Sequence, residues 1–529
     1  MKRLLLSAFL VLAPLVASAQ DLNTYNQALA AFNAGKLDDA APRLFELSAN
    51  ATDPDVRAKS EYYLAQTFAR KGMPVSALVT YAQIVNAGPS HPSYLQALEG
   101  LVDVQQKLNE QNLVSNILDK AYTPEVRDKW VSLPKEVLAR VNYMVGTISQ
   151  RRGRFEEARS LLEAVPSDSR FYARSRYLLG VVLADPRFPG RPTETDALDA
   201  AALAAFRAAV DAKGQQIGHD EVKQLAQLGM GRLHYGRHEY PQAVAAYEAV
   251  PRYTRFWDQA LFENGFARFQ NEDFGGALGS LQALHAPQFE GAFQPESWVL
   301  KATVYYYGCL FDEVKTTLAA FDQLYEPMAK QLEPFLGEDV EGLELLGHGL
   351  EPFLGEDVDH LTAYNLVAAE NRRLPAPIYL WVRNNERIQD VMRMIAQVDE
   401  EKRMLNELNG WRGTGLVPDA LGSLEEVRGT LLQIGGKFAK SRIQEAAQNL
   451  RTFADQAEII RVQTALDEKD LLLAGVDQKA LLKTQSIYRP KMPGAAWNYW
   501  KFQGEFWRDE IGYYQYTLKR GCPAKLRQQ

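Results

Sequence analysis

Two histidines, His234 and His238, are the pair whose type and spacing come closest to those of a metal site. They are four residues apart, and two histidines at that spacing on one helix can bind zinc. The glutamate that a metalloprotease carries between them is absent, and no third ligand follows nearby. A role without metal is therefore the preferred interpretation, and the sequence predicts no cofactor.

The stretch Gly435-Gly436-Lys437 is similar to the end of a phosphate-binding loop. The first glycine of such a loop is missing, and Phe438 stands where Ser or Thr would bind magnesium. The sequence also lacks a G-x-S-x-G nucleophile motif and a Cys/His set at metal spacing. These absences predict a protein without catalytic residues.

A nine-residue segment occurs twice in the middle of the chain. Leu332–Val340 recurs identically as Leu350–Val358, which indicates a recent 18-residue tandem duplication. The acidic pairs Glu338-Asp339 and Glu356-Asp357 could suggest calcium binding, but the ligand spacing of a calcium loop is absent. Because each copy also holds Pro and Gly, residues 331–377 are predicted to be a connector with solvated acidic turns.

The composition is that of a folded protein. Of the 529 residues, 46% are hydrophobic and 24% are charged, and the net charge is -7. A chain of this length needs several domains or an open repeat array. No basic tail or cluster is present, so nucleic acid is not an expected partner.

The N-terminus has the pattern of a secretory signal peptide over residues 1–19. Lys2 and Arg3 precede the apolar stretch Leu4–Val16, and Ala17-Ser18-Ala19 predicts cleavage near Ala19. An uncleaved anchor is the alternative, but the apolar stretch is short for a hydrocarbon core of ~30 Å. No Cys stands directly after the predicted cleavage point, and no later segment reaches spanning length. We therefore expect an exported periplasmic protein that is neither a lipoprotein nor an integral membrane protein.

The chain has two cysteines, Cys309 and Cys522. They could form a disulfide bond in an oxidising compartment if the two regions meet. Two unpaired thiols are the preferred interpretation.

Residues 20–330 repeat one pattern of small and large side chains about eight times. Within Asn142–Pro166, Gly146 stands where a first helix must approach its partner closely. Gly153 ends that helix, and Ala158 is the small contact on the second helix. Weaker copies begin near Tyr94 and Trp298, and another contains an insertion, predicted to be a loop, at residues 185–195. The same frame fits Gly35 with Ala40, Gly72 with Ala77, Gly231 with Ala243 and Tyr247, and Gly265 with Ala277 and Leu281.

These stretches resemble the tetratricopeptide repeat (TPR), a helix-turn-helix unit of ~34 residues. The resemblance implies an all-α solenoid in which the first helix of each unit lines an extended concave face. An unrelated helical bundle is the alternative.

Aromatic and Arg side chains lie off the packing stripe of the first helices and predict a protein-binding groove. Such side chains are enriched in protein-binding hot spots. For each of them, packing against neighbouring repeats is the alternative. The predicted groove comprises Tyr62, Tyr143, Arg151, Arg232, Tyr235, Phe262, Phe266, Phe269, Tyr306 and Tyr307.

The last third of the chain departs from the repeat. Residues 378–475 predict a long helical hairpin with a break at Gly410, Gly413 and Gly415, which could project as an arm or pack on the array. Residues 476–529 are aromatic and predict a helical cap for the solenoid. An aromatic-ligand or glycan platform is the alternative, with a contact surface at Trp500, Trp507 and Tyr514.

Two further motifs resemble those of large periplasmic TPR proteins of adventurous gliding motility. One runs from Pro295-Glu296-Ser297-Trp298 through Tyr305-Tyr306 to Phe321 and Tyr325-Glu326-Pro327. The other runs from Tyr499-Trp500 through Gly504-Glu505 and Trp507-Arg508-Asp509-Glu510 to Gly512-Tyr513-Tyr514. The resemblance implies a non-catalytic scaffold that binds protein partners in a trans-envelope assembly, at the outer membrane or in the periplasm. The absent lipid-acceptor Cys separates this chain from lipoprotein members. The alternative is a regulator of cell-wall or outer-membrane assembly that contacts glycan through its aromatic C-terminal region.

Overall fold

The structure, a computed structural model, describes residues 5–108, 113–289, 292–333, 374–475, 504 and 506–516. These residues form α-helices joined by turns, and they include no β-strand. The all-α prediction is therefore confirmed. Most of the predicted connector 331–377, with its acidic pairs, and most of the segment 476–529 lie outside the described residues.

Twenty α-helices are described. In chain order they are α1 Leu5–Asn33, α2 Leu37–Asn50, α3 Pro54–Lys71, α4 Pro74–Ala87, α5 Tyr94–Leu108, α6 Leu113–Ala121, α7 Pro124–Trp130, α8 Lys135–Arg151, α9 Phe155–Glu163, α10 Tyr172–Ala184, α11 Arg191–Val210, α12 His219–Gly236, α13 Tyr240–Glu248, α14 Trp257–Gln270, α15 Phe274–Leu284, α16 Pro295–Tyr307, α17 Phe311–Leu332, α18 Ala376–Arg383, α19 Glu386–Glu407 and α20 Leu416–Leu473.

From α1 to α17, helices that are neighbours in the chain are mostly neighbours in packing. This arrangement is that of an α-solenoid, in which each helical pair contacts mainly the next pair. The predicted insertion is shorter than the sequence suggests, because α11 already begins at Arg191.

One turn geometry recurs between paired helices in the described chain. A residue with positive φ ends the first helix, and the second helix begins two residues later. The residue between them donates its backbone N–H to the carbonyl five positions earlier, at 2.8–3.0 Å, which is the Schellman bond of a helix C-terminus. The positive-φ residues of these turns are Gly35, Gly72, Gly153, His238, Glu272 and Cys309.

Glycines on first helices receive large side chains from second helices, as the repeat pattern predicts. A Cβ on Gly146 would lie 3.1 Å from Leu162, and one on Gly231 would lie 2.4 Å from the ring of Tyr247. At such sites the absence of a side chain lets the two helices approach closely.

The chain forms two compact units. The first unit contains the described residues up to Ser175 and Glu386–Phe438, and the second contains those from Arg176 to Asn385 and from Ala439 onward. The first part of α20 therefore belongs to the first unit and the rest to the second.

In the first unit, the C-terminal hairpin packs on the N-terminal helices. Trp411 is fully buried, and its indole N–H donates to the carbonyl of Asp38 at 3.2 Å. The buried carboxylate of Glu401 accepts the backbone N–H groups of Val75 (2.6 Å) and Ser76 (2.8 Å) at the start of α4. These N–H groups have no partner within their own helix, so Glu401 caps α4 from a distant part of the sequence.

In the second unit, the end of α20 packs on α17 through ion pairs. Lys315 binds Glu468 at 2.7 Å, and Arg461 binds Asp322. The sequence left open whether the hairpin projects as an arm or packs on the array. Within each unit, the part of the hairpin that belongs to it packs on helices of that unit. The predicted glycine break lies at residues 408–415, and Gly435-Gly436-Lys437 lies inside α20 and is not a loop.

The predicted signal peptide falls largely within α1, which continues through the expected cleavage point to Asn33. Among the described helices, none combines the length and the apolar composition needed to cross a bilayer.

Candidate protein-binding surface

Seven of the ten predicted groove residues lie in the second unit, on the first helices α12, α14 and α16. Five of them form what we call the aromatic face: Tyr235, Phe262, Phe266, Phe269 and Tyr307. Each of these three helices ends in the recurrent turn, so successive first helices present corresponding positions. The helical repeat brings these rings into two contacting groups, one of Tyr235, Phe262 and Phe266 and one of Phe269 and Tyr307.

The first part of the aromatic face joins α12 to α14. The ring of Tyr235 lies edge-on to Phe266, with centroids 6.4 Å apart. Phe266 in turn lies edge-on to Phe262 at 5.7 Å. Beside them, the guanidinium of Arg232 forms an ion pair with Glu263 at 2.6 Å and remains half exposed. The edge-to-face geometry is the favourable one for aromatic pairs.

The second part joins α14 to α16. Phe269 lies edge-on to Tyr307 at 5.3 Å, and the Tyr307 side chain is 57% exposed. A Tyr that is held by neighbouring rings yet open to solvent loses little rotamer entropy on binding. Tyr307 is therefore the position on the aromatic face best suited to contact a partner.

The side chain of Tyr306, the preceding residue, contacts α20. Its hydroxyl donates to the carboxylate of Asp467 in α20, and burial together with that carboxylate raises its pKa. For Tyr306, the structure thus places the ring in internal packing, which was the stated alternative.

The three predicted residues in the first unit do not form a comparable cluster. Tyr62 contacts Tyr63 at 5.4 Å and Tyr81 at 6.2 Å, and Tyr143 packs against Phe171 at 5.7 Å. Arg151 is exposed near the end of α8. Packing between neighbouring helices accounts for the two tyrosines.

A C-terminal segment, residues 506–516, lies against α14 and α15. Ile511 is fully buried against Trp257 and Leu261. Arg252 donates to the carbonyls of Arg508 (2.9 Å) and Asp509 (3.1 Å). The segment is thus held both by an apolar anchor and by hydrogen bonds from the Arg252 side chain to its backbone carbonyls.

The segment lies close to α15 because two of that helix's residues are glycines one turn apart. A Cβ on Gly279 would lie 1.6 Å from the carbonyl oxygen of Tyr514, and one on Gly275 would lie 2.4 Å from that of Tyr516. The N–H of Tyr516 donates to the carbonyl of Gly275 at 3.0 Å. This contact was not predicted from the sequence, although Gly275-Gly276 followed by Gly279 in one helix is a signal for close backbone approach.

The helical prediction for this segment is wrong over residues 506–516, which form turns and irregular backbone. Gly504 and Gly512 have φ of 104° and 94°, values that a helix excludes. The seven-residue spacing of Trp507 and Tyr514 therefore does not place them on one helix face. Trp507 is 60% exposed and Tyr514 packs against Phe506, whereas Trp500 lies outside the described residues.

The two histidines of the zinc hypothesis are separated by a helix end. His234 lies in α12 and its Nδ1 is 2.7 Å from Glu239, whereas His238 follows the helix with φ of 59° and contacts the hydroxyl of Tyr240. Because α12 ends at Gly236, the pair does not share a helix face.

Cys309 is disulfide-bonded, so the interpretation of two unpaired thiols is wrong. The only other cysteine in the sequence, Cys522, lies outside the described residues. Sequence alone could not decide this, since a disulfide requires two distant regions to meet.

No protein-family model matches the sequence. No curated protein matches it either.

Proposed function

We propose that this protein is a TPR-type scaffold of the bacterial envelope, which binds protein partners through the aromatic face. The exposed Tyr307 ring, held against the rings of Phe269 and Phe274, carries the proposal. The recurrent turns and the glycine contacts between paired helices support the TPR assignment. The proposed role is non-catalytic and requires no cofactor.

An oxidising compartment, here the periplasm, is part of the proposal. The disulfide bond of Cys309 supports it, because such bonds persist mainly in exported proteins. Within the envelope, we propose a trans-envelope assembly such as the gliding motility machinery as the setting, on the strength of the sequence resemblance.

A second candidate is a factor of cell-wall or outer-membrane assembly that contacts glycan. The exposed indole of Trp507 favours it, with Tyr513 partly exposed nearby. Aromatic faces open to solvent can stack on sugar rings, and this surface is distinct in sequence from the aromatic face.

Affinity capture from envelope fractions tests the two candidates together. Tyr307→Ala is a sharper probe than changes at Phe262, because Phe262 packs against the buried cluster around Trp257 and Leu261. We expect Tyr307→Ala to reduce partner recovery at least tenfold, since hot-spot aromatics contribute about 2 kcal/mol or more. Circular dichroism should show unchanged helicity.

Trp507→Ala is the matched control, because it removes a similarly exposed aromatic ring from the other surface. Under the scaffold proposal it leaves protein recovery unchanged. Recovery of wall polymer without protein partners, abolished by Trp507→Ala, would instead establish the second candidate.

A further inference from the structure

A cavity of about 350 Å³ lies in the second unit, where the end of α15 meets α16 and α17. Its wall includes the rings of Phe289, Trp298 and Tyr325 and the side chain of Met328. A volume of this order suits a small organic molecule. The polar residues of the wall include His285 and Gln294. Their hydrogen bonds determine whether a bound molecule must donate or accept a hydrogen bond.

The protonation of His285 follows from its neighbour Ser297. The Ser297 hydroxyl lies 2.7 Å from the carbonyl of Gln294, and only the hydroxyl can donate in that pair. Its oxygen therefore accepts from the Nε2–H of His285 at 2.9 Å. Burial lowers the pKa of His285 well below its usual value, so the ring stays neutral and Nδ1 is an acceptor. That nitrogen is buried and has no hydrogen-bond partner.

Gln294 presents a second acceptor. Its amide nitrogen donates to the carboxylate of Asp258 at 3.2 Å, which fixes the orientation of the amide. The amide oxygen is buried and has no partner. Buried acceptors without a donor are rare in native proteins and call for a ligand or water that supplies one.

The surroundings of these acceptors are mainly aromatic. The imidazole of His285 is stacked on the indole of Trp298, with ring centroids 4.0 Å apart and planes 12° apart. The ammonium of Lys301 lies 5.9 Å from the Trp298 ring and disfavours a second cation there. An anion would find acceptors where it needs donors. A neutral, flat molecule with a donor group fits both restrictions.

We propose that this cavity binds a small, neutral aromatic molecule through one N–H or O–H group, which donates to Nδ1 of His285 or to the amide oxygen of Gln294. The site lies apart from the role proposed for the aromatic face and does not depend on it. The cavity would recognise two features of this molecule, its hydrogen-bond donor and its planar apolar ring.

Indole and indene are suitable probes, because they have nearly the same shape and only indole carries an N–H donor. Isothermal titration calorimetry of the full chain should show indole binding at least tenfold tighter than indene. Equal affinities, or no binding of indole, would overturn the proposal.

Substitutions on α17 test whether indole binds in this cavity. Met328→Trp should fill the cavity and abolish indole binding, whereas Gln323→Trp, on the exposed side of the same helix, should leave it unchanged. If Met328→Trp fails to fold, methyl NMR of the unaltered protein decides. Indole must then shift the Met328 methyl resonance, and an unshifted resonance at saturating indole would contradict the proposal.

Discussion

In the second unit, three residues other than glycine occupy the positive-φ position of the recurrent turns between paired helices: His238, Glu272 and Cys309, with φ of 55–59°. Each such residue costs about 1 kcal/mol or more relative to glycine. The glycines of the corresponding turns, Gly35 and Gly153 among them, were predicted from the sequence as helix ends. The positive φ at His238, Glu272 and Cys309 could not be predicted from residue type, because packing of the helices on either side imposes this conformation.

At the same scale, Lys301 gives a pH prediction. Burial lowers its pKa to about 8, from ~10.4 in an unfolded chain. Between these values the unfolded chain binds more protons, so the stability contributed at this site rises with pH. Relative to Lys301→Met, the unaltered protein should gain stability between pH 7 and pH 10, measured by thermal unfolding of both. A difference that stays constant over this range would refute the burial of a charged ammonium.

At the scale of the element, α15 illustrates what the sequence could and could not predict. Ala277 and Leu281, in the repeat frame, are buried as expected. Gly275 and Gly279 have a different role, because they accommodate the backbone of residues 514–516. That segment lies more than two hundred residues later in the sequence. Periodicity within a helix shows which face is buried, but it does not identify the partner.

Gly279→Ala tests that contact. The added Cβ would collide with the carbonyl of Tyr514, so we expect residues 506–516 to detach from α15. Hydrogen exchange at the Tyr516 amide, which donates to Gly275, should accelerate at least tenfold. Gly429→Ala is the matched control, because that helical glycine has open space around it and alanine should stabilise its helix by about 0.5–1 kcal/mol. Unchanged exchange in Gly279→Ala would show that the segment is held in another way.

At the scale of the whole molecule, the repeat pattern predicted the all-α solenoid-like fold because it records contacts between helices that are close in sequence. It did not indicate the capping of α4 by Glu401, since two N–H groups and a carboxylate more than three hundred residues apart leave no pattern. Likewise, the division of the chain at Ser175 falls inside the predicted array. Aromatic residues on first helices were identifiable from their spacing, but which of them remain exposed depends on where α20 and the C-terminal segment pack.

Site-specific photo-cross-linking at Tyr307 tests the proposed binding face most directly. A photoreactive phenylalanine analogue at position 307 would replace a ring that is 57% exposed, and Ile459, 69% exposed on α20, provides the control position in the same unit. In the cells that produce the protein, we predict a discrete protein adduct from position 307 and none from position 459. Absence of an adduct at 307, under conditions where the unaltered chain still captures its partner, would contradict binding through the aromatic face.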